Sequence, residues 1–185
     1  DFRVFDRILS QDEVTLLYGF DFNGSQSQML AYDTPSNMWS DGPSLGSFTK
    51  DSCAVSLSGG IYLVGGLDEN GSRSARVFHY DGTTENWAEK ASMSIARSDH
   101  ALVEHNGKLW AIGGTASDGN ATDSIEVYDP QTDSWSPSPS MATAYENPFA
   151  WEQGNDLYAG GWDETRPGFL PVDALRDFSG AWSSA

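Results

Sequence analysis

The sequence is poor in cysteine and in positive charge. Its 185 residues include one cysteine, Cys53, so no internal disulfide can form, and we expect Cys53 to be a small buried apolar side chain. There are 10 Lys and Arg against 27 Asp and Glu, which gives a formal net charge of −17. Because phosphate groups are bound through Lys and Arg, we expect neither nucleic acid nor an anionic membrane surface as a partner. The charge predicts a solvated acidic surface.

Long hydrophobic runs are also missing. No apolar stretch approaches the roughly 20 residues that a membrane-spanning helix needs, so we expect no membrane insertion. The N-terminal region lacks the basic and apolar pattern of a secretory leader. We expect the chain to be part of a longer protein, and neither this absence nor the cysteine count decides its compartment.

What the sequence does contain is a repeat of about 48 residues. Its marks are a Tyr followed seven residues later by a Trp in the first three units, and a glycine pair before these positions in the last three. The Tyr and Trp residues are Tyr32 and Trp39, Tyr80 and Trp87, and Tyr128 and Trp135, and the glycine pairs are Gly65-Gly66, Gly113-Gly114 and Gly160-Gly161. In the fourth unit the Trp is retained as Trp182, while Leu175 replaces the Tyr.

Each unit is predicted to form four strands. In the third unit they cover residues 101–105, 109–113, 124–129 and 134–138. Asn106-Gly107, between the first two, is a strong hairpin signal. In the third strand Ile125 and Val127 should point to one side, and Glu126 and Tyr128 to the other. The glycine pairs are expected at positive φ, close to a neighbouring sheet.

The third unit resembles the kelch motif. The stretches RSDHALVEHNGKLWAIGG and SIEVYDPQTDSW carry the resemblance, which extends over about residues 20–185. It implies an all-β fold, a β-propeller of kelch-type four-stranded blades, with about four repeats of 47–48 residues within a larger six- or seven-bladed ring. An open arc of four blades would expose two apolar faces, so self-association through the open blade edges is expected.

Residues 1–19 permit two interpretations. Ser10-Gln11-Asp12-Glu13 has the capping-box pattern of a short helix ending near Gly19, and FRVFDRILSQDEVTLLYG resembles the C-terminal end of a laminin-G-like, concanavalin-type domain. This interpretation is favoured, and it predicts an extracellular or cell-surface location. Alternatively, residues 14–19 are the inner strand of a first blade, and a cytoplasmic location remains open.

No catalytic, metal or cofactor site is predicted. Some kelch-like propellers are copper oxidases, which need imidazole groups converging on one centre. Here His79 and His105 belong to different strands, and His100 matches a structural position of the motif. We therefore expect a non-enzymatic chain with no cofactor.

The resemblance to kelch propellers implies partner binding at the loops between the second and third strands and between successive units. The candidate partner-binding residues are Asp68, Arg97, Tyr145, Asn147, Trp162 and Arg166, although Arg97 could instead fix a loop carbonyl and Trp162 could instead pack inward. Asn23, Asn70 and Asn120 begin N-x-S/T sequons in the same kind of loop. In a secreted protein they would be candidate glycosylation sites.

The sequence therefore predicts a recognition module for a protein or glycan ligand. Two alternatives are kept. One is a fragment of a carbohydrate-active enzyme, similar to galactose oxidase or a sialic-acid epimerase, whose catalytic residues lie elsewhere. The other is an intracellular substrate adaptor.

Overall fold

The described residues of the computed structural model form four small antiparallel sheets, one for each repeat, and a separate two-stranded pair. The structure describes residues 15–20, 27–47, 49–154, 156–161, 172–175 and 182–184, with the backbone alone in 15–20, 27–28, 172–175 and 182–184. Every secondary-structure element assigned in these ranges is a β-strand. Within the same ranges, no helix is long and apolar enough to cross a bilayer.

We call the sheets blades 1 to 4 in chain order. Their strands are β1 (Thr15–Phe20), β2 (Ser27–Asp33) and β3 (Met38–Asp41) in blade 1; β4 (Cys53–Leu57), β5 (Gly60–Val64), β6 (Val77–Asp81) and β7 (Asn86–Lys90) in blade 2; β8 (Arg97–Ser98), β9 (Ala101–His105), β10 (Lys108–Ile112), β11 (Thr115–Ala116), β12 (Ile125–Asp129) and β13 (Ser134–Ser138) in blade 3; and β14 (Phe149–Gln153), β15 (Asp156–Gly160), β16 (Val172–Leu175) and β17 (Trp182–Ser184) in blade 4. Blades 2 and 4 pair their strands in chain order. Blade 3 does the same with β9, β10, β12 and β13, while β8 and β11 form a separate pair. The first strands β4, β9 and β14 lie side by side, which is the arrangement of inner strands in a propeller.

The strands β9, β10, β12 and β13 of blade 3 confirm the sequence prediction, since each begins and ends within one residue of its predicted bounds. Asn106 and Gly107 both have positive φ, 52° and 73°, which fits the tight turn expected between β9 and β10. The directions in β12 also alternate as predicted. Ile125 and Val127 pack with blade 4, and Tyr128 packs with blade 2. All of them are buried, because blade 3 has a neighbour on each side.

Residues 15–20 form a strand rather than the end of a short helix. All six residues of β1 pair with β2, from Thr15 opposite Tyr32 to Phe20 opposite Ser27. The helix expected to end near Gly19 is therefore wrong for this stretch, since long-range pairing outweighs the local helical spacing. The capping box and most of the laminin-G-like resemblance fall in residues 1–14, outside the described residues, and stay predictions.

The core lies between the blades. One buried cluster joins blades 2 and 3 through Tyr62, Val64, Leu109 and Tyr128. A second joins blades 3 and 4 through residues that include Trp110, Ile112, Tyr145 and Leu157. Blades that bury their faces only against each other must stack, as the repeat predicted.

The glycine pairs lie where successive blades approach most closely. Gly65, Gly66, Gly113 and Gly114 have the predicted positive φ, between 61° and 93°. The amide of Gly66 donates to the Arg97 carbonyl at 2.8 Å, and Gly114 repeats this with Tyr145 at 2.9 Å. The third pair, Gly160-Gly161, does not adopt positive φ, but a Cβ on Gly161 would lie 2.8 Å from the Cβ of Tyr145.

In blades 2 and 3 the repeated Trp ties the outer strand to the preceding blade. The indole N–H of Trp135 donates to the Ala91 carbonyl at 2.8 Å, and that of Trp87 donates to the Pro43 carbonyl at 3.0 Å. In blade 3 the carboxylate of Asp133 makes a further contact with the preceding blade. Asp133 accepts from the Ala91 amide at 2.9 Å and from the Tyr128 hydroxyl at 2.7 Å. These bonds lower the pKa of Asp133, with the Ala91 amide as the main cause.

Asp133→Asn should lower the free energy of unfolding by about 0.5–1.5 kcal/mol at neutral pH, since a neutral acceptor replaces a carboxylate in two hydrogen bonds. The folded pKa of Asp133 is below its unfolded value. The carboxylate therefore stabilises the fold above the unfolded pKa, and this contribution is lost as pH falls through the folded pKa. Urea unfolding over a pH series should show that the difference in free energy of unfolding between wild type and Asp133→Asn becomes smaller at acidic pH.

The matched control is Glu85→Gln at the equivalent turn position of blade 2. There the preceding blade offers Pro43, which has no N–H to donate. We expect a change within about 0.5 kcal/mol. A gap between wild type and Asp133→Asn that persists unchanged in acid would contradict the assignment.

Candidate functional site

The connections predicted to bind partners emerge together at one end of the blades. In an antiparallel sheet, the link from the second to the third strand and the link to the next blade leave from the same end. We call the surface formed by residues 49–52, 65–76, 94–100, 113–124 and 142–147 the loop face.

Backbone contacts hold the loop face in place. Lys50 and Leu67 exchange two hydrogen bonds of 3.0 and 2.6 Å, and β8 pairs with β11. The amide of Asp99 in blade 3 donates to the carbonyl of Asp51 in blade 2 at 3.1 Å, so the bond joins the two neighbouring blades. The loops therefore present their tips from a frame built largely of main chain.

Short side-chain turns shape the tips. Asp68 accepts from the amides of Asn70 and Ser72, both at 2.9 Å. Asp118 accepts from the side chain of Asn120 at 2.9 Å and from its amide at 3.0 Å. These bonds lower the pKa of Asp118, so its exposed carboxylate stays charged at neutral pH.

The loop face is strongly acidic. Its carboxylates with at least partial solvent exposure are Asp51, Asp68, Glu69, Asp99, Asp118, Asp123 and Glu146, and its cations with comparable exposure are Lys50, Arg73 and Arg76. Asp51 and Asp99 occupy equivalent places in blades 2 and 3, and both have a φ of 53°. This left-handed conformation is tolerated by Asp better than by most residues.

Arg97 lies inside the protein and does not reach the loop surface. Its guanidinium donates to the carbonyls of Gly113 and Ser124 at 2.9 and 3.0 Å. It also donates to the Ser124 hydroxyl at 2.7 Å and to Glu126 at 3.0 Å. Burial lowers the pKa of Arg97, and the Glu126 carboxylate opposes that effect. The guanidinium of Arg97 thus bonds to loop carbonyls inside the protein.

Glu126 is the partner of Arg97 that sequence reasoning missed. The side chain is almost fully buried, and it also accepts from the amides of Ser94 at 2.7 Å and Ile95 at 3.1 Å. The pair thus fastens the connection between blades 2 and 3 to β12. A carboxylate between Ile125 and Val127, in a strand covered on both sides, was the available signal.

The other predicted binding residues are divided between surface and core. Tyr145, one repeat after Arg97, is fully buried between blades 3 and 4, which takes its side chain out of the binding surface. Asn147 is exposed and Asp68 is partly exposed. Trp162 and Arg166 lie outside the described residues. Asn70 and Asn120 are exposed at loop tips, Asn23 lies outside the described residues, and glycosylation stays a prediction.

The histidines are dispersed. His79 is in β6, His105 ends β9, and His100 is buried just before β9. In the described ranges, no group of three or more His, Cys, Asp or Glu side chains could hold a metal ion. Cys53 is buried as predicted, with its sulfur 2.6 Å from the His100 carbonyl oxygen.

Comparison with known proteins matches two stretches to the Kelch motif, residues 49–94 and 96–142. The chain is similar to the "Kelch repeat protein M-T8" of Myxoma virus (strain Lausanne), with 44% identity over 43 residues. This match covers 23% of the chain and 8% of the viral protein. The solved "Structure of YjhT" has the same fold, with a TM-score of 0.72 and 18% identity over 92% of this chain. The chain spans 62% of that structure's length.

Proposed function

This chain belongs to the kelch-repeat family, and we propose that it is a recognition module that binds a protein partner through its loop face and catalyses no reaction. The observation that carries the proposal is the excess of solvent-accessible carboxylates over cations on that face. Kelch repeats generally mediate protein interactions, and the main-chain frame presents these charges without large rearrangement. The partner is expected to present lysine and arginine side chains.

A glycan is less well supported by the described residues. Sugar recognition commonly uses an exposed aromatic ring as a stacking surface. In the described loop face the aromatic side chain is Tyr145, which is buried. Carboxylates on a rigid frame favour a cationic protein surface instead.

The binding face can be tested with a peptide array of lysine- and arginine-rich sequences and matched acidic sequences. We expect selective binding of the basic peptides that weakens as salt rises. Asp51→Asn combined with Asp99→Asn should reduce affinity about five- to tenfold, since rim charge pairs contribute modestly and two are removed.

The matched control removes two charges from the opposite end of the blades, through Asp81→Asn and Glu85→Gln. Both side chains belong to the β6–β7 turn. Affinity should change less than about twofold. Equal losses in the two double variants would mean that net charge, rather than the loop face, governs binding.

We also propose that the kelch segment begins at β1, since β1 pairs with β2 as part of blade 1. A location outside the cell stays a proposal resting on the laminin-G-like resemblance of residues 1–19. Detection of glycan on Asn70 or Asn120 in the secreted protein would support it.

A further inference from the structure

Arg73 is a cation of the loop face whose charge is not paired with any described residue. Its guanidinium makes no hydrogen bond and no ion pair in the part of the chain that the structure describes. The two other cations of comparable exposure are paired. Arg76 donates to both oxygens of Glu89, at 2.9 and 3.1 Å, and the Lys50 nitrogen lies 3.8 Å from an Asp51 oxygen. The charge of Arg73 is therefore available to a ligand.

Main-chain bonds of the loop after β5 hold Arg73 in place. Arg73 pairs with Leu67 in an isolated antiparallel bridge. Beside it, the Ser74 amide donates to the Gly66 carbonyl at 2.8 Å, and the Ser74 carbonyl accepts from the Arg97 amide at 3.1 Å. The Arg73 side chain is half-buried and its Nε is fully covered, so the terminal nitrogens are its accessible donors. A cation held in this way loses little conformational entropy when it binds.

The charge of Arg73 acts on a carboxylate of the next blade without pairing with it. The bonds from Asn120 are the main cause of the lowered pKa of Asp118, and the positive charge of Arg73 adds to that shift. Asp118 directs its oxygens to the side chain and the amide of Asn120, not to Arg73. One position of the loop face thus attracts a negative group, while the carboxylates around it attract positive ones.

The repeat does not require an arginine at this position. Ala121 is the equivalent residue of blade 3, and it forms the equivalent bridge, with Thr115. The same loop conformation therefore forms without a cation. Since neither a bond within the described residues nor the backbone explains Arg73, we looked to a ligand for its role.

We propose that Arg73 binds a side-chain carboxylate of the partner, from an Asp or Glu within the lysine- and arginine-rich segment that the loop face recognises. The inference rests on the proposed function and specifies the charge pattern of the partner. Basic residues lie opposite the carboxylates of the face, and one acidic residue lies opposite Arg73. A guanidinium and a carboxylate can form two parallel hydrogen bonds, which add direction to the attraction. Arg73 thereby selects the register in which the segment binds.

Fluorescence anisotropy with a series of lysine- and arginine-rich peptides tests the proposal. Each peptide has an amidated C-terminus and carries one Glu, at a position that moves along the series, and each has a reference peptide with Gln in that place. Net charge alone predicts that every Glu peptide binds the acidic face more weakly than its reference. We expect instead that at one position the Glu peptide binds about threefold more tightly, the modest gain of an exposed ion pair.

Arg73→Gln should remove this preference, so that at the selected position the Gln peptide binds at least as tightly as the Glu peptide. The matched control is Lys108→Gln, which removes one cation from the opposite end of the blades, where Lys108 pairs with Asp129 at 2.9 Å. This variant should keep the preference for Glu. Far-ultraviolet circular dichroism checks that both variants are folded.

The outcomes separate this inference from the proposed function. If the basic peptides bind but no Glu peptide gains affinity, the role of Arg73 is overturned and recognition of a basic partner stands. The same conclusion follows if folded Arg73→Gln keeps the preference. A parallel series with free C-termini tests the other source of a carboxylate, and a gain seen only there would also overturn the role proposed for Arg73. If no peptide binds, both the inference and the proposed function are wrong.

Discussion

Glu126→Gln should lower the free energy of unfolding by about 3–5 kcal/mol, because it leaves the guanidinium of Arg97 charged and buried without its counter-ion. Both side chains are nearly inaccessible to solvent, and their closest nitrogen and oxygen atoms are 3.0 Å apart. The same substitution weakens the acceptor of the Ser94 and Ile95 amides. Chemical denaturation monitored by tryptophan fluorescence would measure the loss.

The chain supplies a matched exposed pair as control. Arg76 and Glu89 meet at 2.9 Å, but both side chains are about half exposed. Glu89→Gln should therefore cost no more than about 1 kcal/mol. Replacing both buried charges, as Arg97→Met with Glu126→Leu, should recover much of the stability that Glu126→Gln loses. Similar small losses for Glu126→Gln and Glu89→Gln would show that the buried pair does not hold blade 3.

Gly114→Ala should destabilise the protein by about 3–5 kcal/mol, combining left-handed backbone strain with overpacking. Gly114 has a φ of 89°, and an added Cβ would lie 2.6 Å from the Ser98 carbonyl oxygen and 2.7 Å from the Cβ of His100. Neither neighbour is the end of a flexible side chain. Thermal and urea unfolding should both show the loss.

Gly119→Ala separates the two causes. Gly119 has nearly the same φ, 87°, but an added Cβ meets nothing within 4 Å. This variant should therefore lose only about 1–2 kcal/mol, from backbone strain alone. If the two alanine variants were equally stable, close approach between blades could not be the reason for the second glycine of the pair.

The blades could be predicted because their signals repeat. The seven-residue spacing of Tyr128 and Trp135 recurs in other units, and so do the glycine pairs. The turn at Asn106-Gly107 has a single physical explanation, a tight hairpin. Recurrence adds evidence that a single unit lacks. The strands of blade 3 followed from these residues, and the fold class followed from them together with the resemblance to the kelch motif.

Residues 15–20 could not be placed from local pattern. Leu17 and Tyr18 have helical spacing after a capping box, yet pairing of β1 with β2 determines their conformation. Such pairing depends on residues more than ten positions away. The sequence signal for the strand was the match of the residues that follow it, 20–27, to residues 67–74 one repeat later.

The positions of the loops could be predicted from the sequence, but the burial of their side chains could not. The loops were located correctly from the blade pattern, whereas Arg97 and Tyr145 proved to be buried. A sequence position between two blades does not say whether a side chain turns inward. The role of Glu126 likewise depends on burial from both sides, which only the assembled blades provide.

The most direct test of recognition through the loop face is a titration with a lysine- and arginine-rich peptide, followed by amide chemical shifts of the isotope-labelled chain. We expect the perturbed amides to cluster in residues 50–52, 67–73, 97–99 and 116–123. Perturbations confined to the opposite turns at 82–85 and 130–133, or none at saturating peptide, would contradict recognition through the loop face.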